Sequence, residues 1–145
     1  MRRLFIIRKD LNLAPGKLAA MVAHCAEGYW TRLICSHLQK TENGYSVQFS
    51  LDREVVDGYL NDIFTKTVCE ARNLNHLNKA KTIADELELV ENSDYGFIDD
   101  CCKTDLVPEF VDENGVGRCR VGIWFKPLDD EIAHTISKKF QLYKG

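Results

Sequence analysis

No stretch of this 145-residue chain approaches the roughly 18 consecutive apolar residues of a membrane-spanning helix, so no bilayer span is expected. Its opening, Met1-Arg-Arg-Leu-Phe-Ile-Ile-Arg8, has only a short apolar run before a charge, too little for the hydrophobic core of a secretory signal. A cytoplasmic protein is the expectation. The six cysteines (Cys25, Cys35, Cys69, Cys101, Cys102 and Cys119) contain no C-x-x-C pair, and adjacent Cys101 and Cys102 chelate poorly. Without a secretory signal they read as reduced thiols, with neither a structural zinc nor a disulfide framework. G-x-S-x-G, Walker and H-E-x-x-H patterns are all missing. Excess positive charge is lacking too. A net charge of −3 argues against general coating of nucleic acid but leaves room for a local basic patch.

What is present suits one domain over residues 1–145: apolar content is 45% and charged content 28%, with no repeat, low-complexity tract or linker. Leu4-Phe-Ile-Ile7 reads as a buried strand and about 15–34 as a helix, followed by a polar stretch that ends in the Asn43-Gly44 turn. Tyr45, Val47 and Phe49 alternate with polar residues, which predicts a second, half-buried strand over 45–51. Asp52 stands at an N-cap position before Val55, Val56, Tyr59, Leu60, Ile63 and Phe64 at helical spacing, and 73–78 reads as the break after that helix. A helix around Ala80–Leu87, a short strand at 97–100, a hairpin from Phe110-Val111 into 119–125, and a last helix after Asp129 complete the order. The expectation is an α/β fold with a mixed sheet of about four strands, the first central, and helices on both faces.

The segment Arg8-Lys-Asp-Leu-Asn-Leu-Ala-Pro-Gly-Lys17 takes a strand into the start of a helix. Pro15 is tolerated in the first turn, whose N–H groups lack helical partners. Those free N–H groups and the dipole attract phosphate or carboxylate, and Lys17 adds a full charge. Leu18, Val22, Cys25, Tyr29 and Leu33 form one stripe, read as the core face. Lys17, Met21, His24 and Gly28 form a second stripe beside it. That second stripe has two readings: a functional rim, or a boundary where Lys17 snorkels, Met21 packs and His24 is a satisfied histidine. The second polar concentration, Asp99-Asp-Cys-Cys-Lys-Thr-Asp105, likewise reads as a solvated turn or as a partner of the first. In the latter case Asp100 and Thr104 face Lys17 and His24, with a carboxylate orienting an imidazole, a hydroxyl positioning a reacting group, and an ammonium for phosphate or oxyanion. A thiol beside two carboxylates has its pKa raised, so a cysteine nucleophile is disfavoured.

With both segments in view, the chain resembles the peptidyl-tRNA hydrolases of the second type. The family frame of Arg-x-Asp-Leu followed by Gly-Lys-x-Ala-Ala-Gln-x-x-His-Ala is matched by Arg8-Lys-Asp10-Leu11 and Gly16-Lys17-Leu-Ala19-Ala20-Met21-Val-Ala-His24. The later motif Asp-Ala-Gly-x-Thr-x-Ile-x-Pro-Gly is matched by Asp100-Cys-Cys-Lys-Thr104-Asp-Leu106-Val-Pro108-Glu109. The resemblance implies hydrolysis of the ester between a peptide and the ribose at the 3′ end of tRNA, without metal or cofactor. It also implies tRNA as partner and a homodimer. The roles it implies are water activation for His24 with Asp100, oxyanion or phosphate charge for Lys17, and positioning for Thr104. Arg8, Lys9, Gly16, Met21 and Lys103 would contact substrate. Met21 replaces a family Gln, Cys102 and Glu109 replace glycines, and the middle, 52–78, is longer than the family's. Two other readings stay open: a catalytically reduced relative that binds tRNA, RNA or a protein, and a small-molecule hydrolase or binding protein reusing the fold.

Overall fold

A computed structural model describes residues 1–145. The apolar opening forms strand β1 (Arg3–Arg8), buried along its whole length. Pleating sends Leu4 and Ile6 into one side of the core and Phe5 and Ile7 into the other. Helix α1 (Pro15–Cys35) follows, then a separate antiparallel hairpin of β2 (Leu38–Lys40) and β3 (Tyr45–Val47). A short α2 (Arg53–Val55) runs into one π-helical turn, Val56–Leu60. Strand β4 (Lys66–Ala71), helix α3 (Leu74–Glu86), strands β5 (Tyr95–Asp100), β6 (Phe110–Val111) and β7 (Gly117–Phe125), helix α4 (Asp130–Ser137) and strand β8 (Gln141–Leu142) complete the chain.

The main sheet has six strands, ordered β5-β7-β1-β4-β8 with β6 pairing on β7. β1 and β4 are parallel and the other pairs antiparallel. The mixed α/β fold with helices on both faces is thus as expected from the sequence, but the sheet is larger than about four strands. α1 covers one face through Met21 and Cys25 against Phe5, Ile7 and Trp124. α3 and α4 cover the other through Leu77, Ala80, Ala84, Ala133 and Ile136 against Leu4, Ile6, Ile123 and Phe125. Each of the Leu, Ile, Phe and Met side chains among them, fully buried, stabilises the fold by about 1.5–3 kcal/mol. No helix is long and apolar enough to cross a membrane.

Three expectations fail in the middle of the chain. Residues 45–51 do not form a half-buried strand; every residue of β2 and β3 is exposed, and the hairpin stands apart from the main sheet. The helix expected over Val55–Phe64 stops at Leu60, and Asp52 at its start makes no side-chain capping bond. The parallel neighbour of β1 is β4, in register from Arg3↔Lys66 to Arg8↔Ala71. Residues 73–78, expected to break a helix, begin one: the Asn73 carboxamide accepts the His76 N–H at 2.8 Å and caps α3.

α1 also turns a different side to the sheet. Its fully buried residues are Met21 and Cys25, about 40° and 80° around the helix from Lys17, whereas the apolar stripe alone centres nearer 120°. The cause is Trp124, whose indole lies between Gly28 of α1 and Gly96 of β5. A Cβ on either glycine would stand 2.5 Å from the ring. The helix therefore leans on its Gly28 side, and Met21 comes down with it.

Candidate active site

β1 and β5 each run antiparallel to β7, so they point the same way and their carboxyl ends, Arg8 and Asp100, share one rim of the sheet. α1 starts at that rim. Leu18 is the first of its N–H groups to find a helical acceptor, Ala14 O at 2.9 Å, which leaves the N–H groups of Gly16 and Lys17 facing outward. No acidic residue stands in the first turn, and the space where a Gly16 side chain would be is open to 4 Å. The positive end of the helix is free to meet an anion.

Lys17 reaches from this turn across to the segment after β5. Its ammonium donates to Asp100 Oδ1 at 3.0 Å and to Thr104 Oγ1 at 3.4 Å. The second oxygen of Asp100 accepts the Cys102 N–H at 3.0 Å, and Cys102 itself has left-handed backbone, φ 58°, where the chain leaves β5. Burial works to raise the Asp100 carboxyl, but the hydrogen bonds from Lys17 and Cys102 and the charges of Lys17 and His24 outweigh it, holding the group below the usual carboxylate range. Asp100 is thus ionised at neutral pH and fixes the ammonium. The Cys102 thiol is pushed up by burial and by the Asp100 charge, which withholds the thiolate a nucleophile needs.

His24 is exposed on α1, two turns below Lys17 and on nearly the same face, about 10 Å along the axis. Asp100 feels its charge, yet the carboxylate's hydrogen bonds go to Lys17 and Cys102. The expected carboxylate–imidazole pair is therefore replaced by a carboxylate–ammonium pair. Met21, between them in sequence, is 2% exposed and packs in the core instead of lining the rim; of its two readings, packing holds.

The remaining expected contacts divide. Lys103 is exposed at the rim without an ion pair. Lys9 lies over the Tyr143 ring at 5.1 Å and pairs with Glu70 at 3.2 Å. Arg8, expected as a substrate contact, is 4% exposed and fully engaged within the protein. Its Nε and Nη2 donate to Asp10 at 3.1 and 2.9 Å, and Nη1 donates to both oxygens of Glu109 at 2.8 and 2.7 Å and to Arg120 O at 2.9 Å. Glu109, which would add negative charge to the rim if free, is neutralised there. Asp10 was not singled out from the sequence; its signal was its place two residues after Arg8 in the first motif.

No group of three or more His, Cys, Asp or Glu side chains is arranged to hold a metal ion, and all six cysteines are free thiols. The family model described as "Peptidyl-tRNA hydrolase PTH2" matches residues 1–143. The chain belongs to this family. Among curated proteins there is no match. The family acts on peptidyl-tRNA, and its match spans both motif segments and the strands and helix that bring Lys17, Asp100 and Thr104 together.

Proposed function

We propose that this chain hydrolyses the ester joining a peptidyl or other N-blocked aminoacyl group to the 3′-terminal ribose of tRNA, releasing free tRNA. The observation that carries the reading is the meeting of Lys17, Asp100 and Thr104 at the unpaired N–H groups of α1, within a chain of the PTH2 family. An acyl ester of ribose is already activated. A positioned water, a base and positive charge at the developing oxyanion are enough to cleave it.

In this reading the water oxygen attacks the ester carbonyl carbon while His24 accepts the water proton. The carbonyl oxygen gains negative charge, which Lys17 and the first-turn N–H groups stabilise. When the bond from the carbonyl carbon to the ribose oxygen breaks, the proton held by His24 passes to the ribose oxygen. Asp100 acts by holding Lys17 in place, and Thr104 orients the water or the ester. Lys103 and Gly16 face the tRNA terminus, Lys103 through phosphate charge and Gly16 through close backbone approach.

The test is release of an N-blocked aminoacyl group from tRNA by protein freed of metal with a chelator. Turnover that His24→Ala lowers by about two to four orders of magnitude supports the assignment. A wild-type protein inactive on every N-blocked aminoacyl-tRNA refutes the activity, and a fully active His24→Ala protein refutes the role of His24.

A further inference from the structure

The two halves of the site come from loops far apart in sequence, and one guanidinium joins them. Arg8 ends β1. Through Nε and Nη2 it holds Asp10, at the start of the loop that leads to Gly16 and Lys17. Through Nη1 it holds both oxygens of Glu109, at the end of the loop that carries Thr104. Glu109 is anchored again by the Arg120 N–H, 3.1 Å from Oε1, and by its own N–H to Arg118 O at 2.7 Å. The other end of this loop is fixed at Asp100, which pairs with Cys119 of β7. Between these anchors, 101–108 has no strand or helix of its own, and Thr104 is exposed.

We propose that Glu109 is a positioning residue for the ester hydrolysis: its carboxylate, seated in the guanidinium of Arg8, ties the Thr104 loop to the loop that delivers Lys17. This rests on the functional reading above. The contact suits the role because the carboxylate is held from two sides, by the charged Nη1 of Arg8 at both oxygens and by the Arg120 N–H at Oε1. The clamp is built on the Arg8–Asp10 pair of the first motif. Lys17 and Thr104 approach to 3.4 Å directly across the joint, where a small displacement of either loop separates them.

The experiment compares Glu109→Ala with Glu109→Gln, which removes the same charge but keeps an oxygen for Arg8 and Arg120. With an N-blocked aminoacyl-tRNA, Glu109→Ala is expected to lower kcat by about tenfold to a hundredfold while KM stays within about threefold. Glu109→Gln recovers most of the loss. A second readout needs no turnover: alkylation of Cys102, measured by peptide mass, is expected to be at least about threefold faster in Glu109→Ala than in Glu109→Gln, because the loop opens locally. If Glu109→Ala does not fold, Asp10→Ala loosens the Lys17 end of the same clamp, with the same expected split between kcat and KM. Unchanged kcat in a folded Glu109→Ala or Asp10→Ala protein overturns the proposal, as does equal loss in the Glu109→Ala and Glu109→Gln variants. If the wild type is inactive, the functional reading falls by itself, and the role of the clamp is decided by Cys102: equal alkylation rates overturn it.

Discussion

The Lys17 ammonium stands 3.0 Å from Asp100 Oδ1, a contact between residues 83 positions apart that joins the first turn of α1 to the end of β5. The pair is partly shielded, with side-chain exposures of 22% and 10%. Removing the cation has two consequences: charge stabilisation at the helix start is lost, and Asp100 is left without its counter-ion. Lys17→Met is expected to lower kcat by about 10²–10³, the usual effect of deleting one donor to a developing oxyanion. Asp100→Asn should cost less, because it leaves the ammonium in place with its other partner, Thr104. Single-turnover hydrolysis by the two variants gives the ranking directly; the reverse order would make Asp100 the more immediate participant.

Asp100 also sets a pH expectation. Its folded-state pKa is depressed by Lys17 and the Cys102 N–H, so the pair contributes stability in full above the unfolded aspartate value of about 3.9 and loses it as pH falls through the lower folded value. Between pH 5 and 8 the carboxylate does not titrate. Wild type and Asp100→Asn should therefore differ in the height of their pH–rate profiles over that range, with no limb that belongs to Asp100 itself. A limb present only in the wild type above pH 5 would contradict the assigned protonation state.

Packing around Trp124 gives a stability expectation. An Ala at Gly28 improves helix propensity by about 1 kcal/mol, but its Cβ would enter the indole at 2.5 Å, and Gly96 blocks the ring from retreating. Overpacking in a well-filled core costs about 1–3 kcal/mol, so Gly28→Ala is expected to be destabilising on balance. Urea denaturation should show the penalty shrinking or reversing in a Trp124→Phe background. A stabilised Gly28→Ala single variant would mean that the indole is free to move.

How much of this was legible from residues depends on whether each element's chemistry shows in its own sequence. β1 was legible because a strand buried on both faces is a continuous apolar run, and α1 because Pro15 and a long apolar periodicity mark it. β4 was not. Its Lys66-Thr-Val-Cys-Glu-Ala71 includes Glu70, which is only 6% exposed because Gln141, Lys9 and the Lys144 N–H surround its carboxylate, and such a residue reads as surface until those partners are known. With β4 unseen, the alternating Tyr45-Ser-Val47 took its place, although in the structure it pairs only with β2. The two site loops were readable as motifs, but which groups pair was not: Asp100 goes to Lys17 instead of His24, and Arg8 goes to Asp10 and Glu109 instead of substrate. Those choices depend on distances across the rim, which no local pattern encodes.

The same pairing bears on the proposed contact with tRNA. Of the basic residues in the two site segments, Arg8 is joined to Glu109, Lys9 to Glu70 and Lys17 to Asp100, leaving Lys103 without an acidic partner. Binding releases about one counter-ion for each phosphate a cation newly neutralises, and an ammonium already paired with a carboxylate releases few. A plot of log KM against log salt should accordingly be shallow, corresponding to about one or two phosphate contacts, and Lys103→Ala should reduce its slope by about one while leaving kcat within about twofold. Steady-state hydrolysis at several potassium chloride concentrations measures this. A slope equivalent to four or more contacts would mean that tRNA displaces the carboxylates from Arg8, Lys9 and Lys17. The ion pairs of the free protein would then be a resting arrangement that substrate opens, and Glu109→Ala would lower KM by freeing Arg8 in advance.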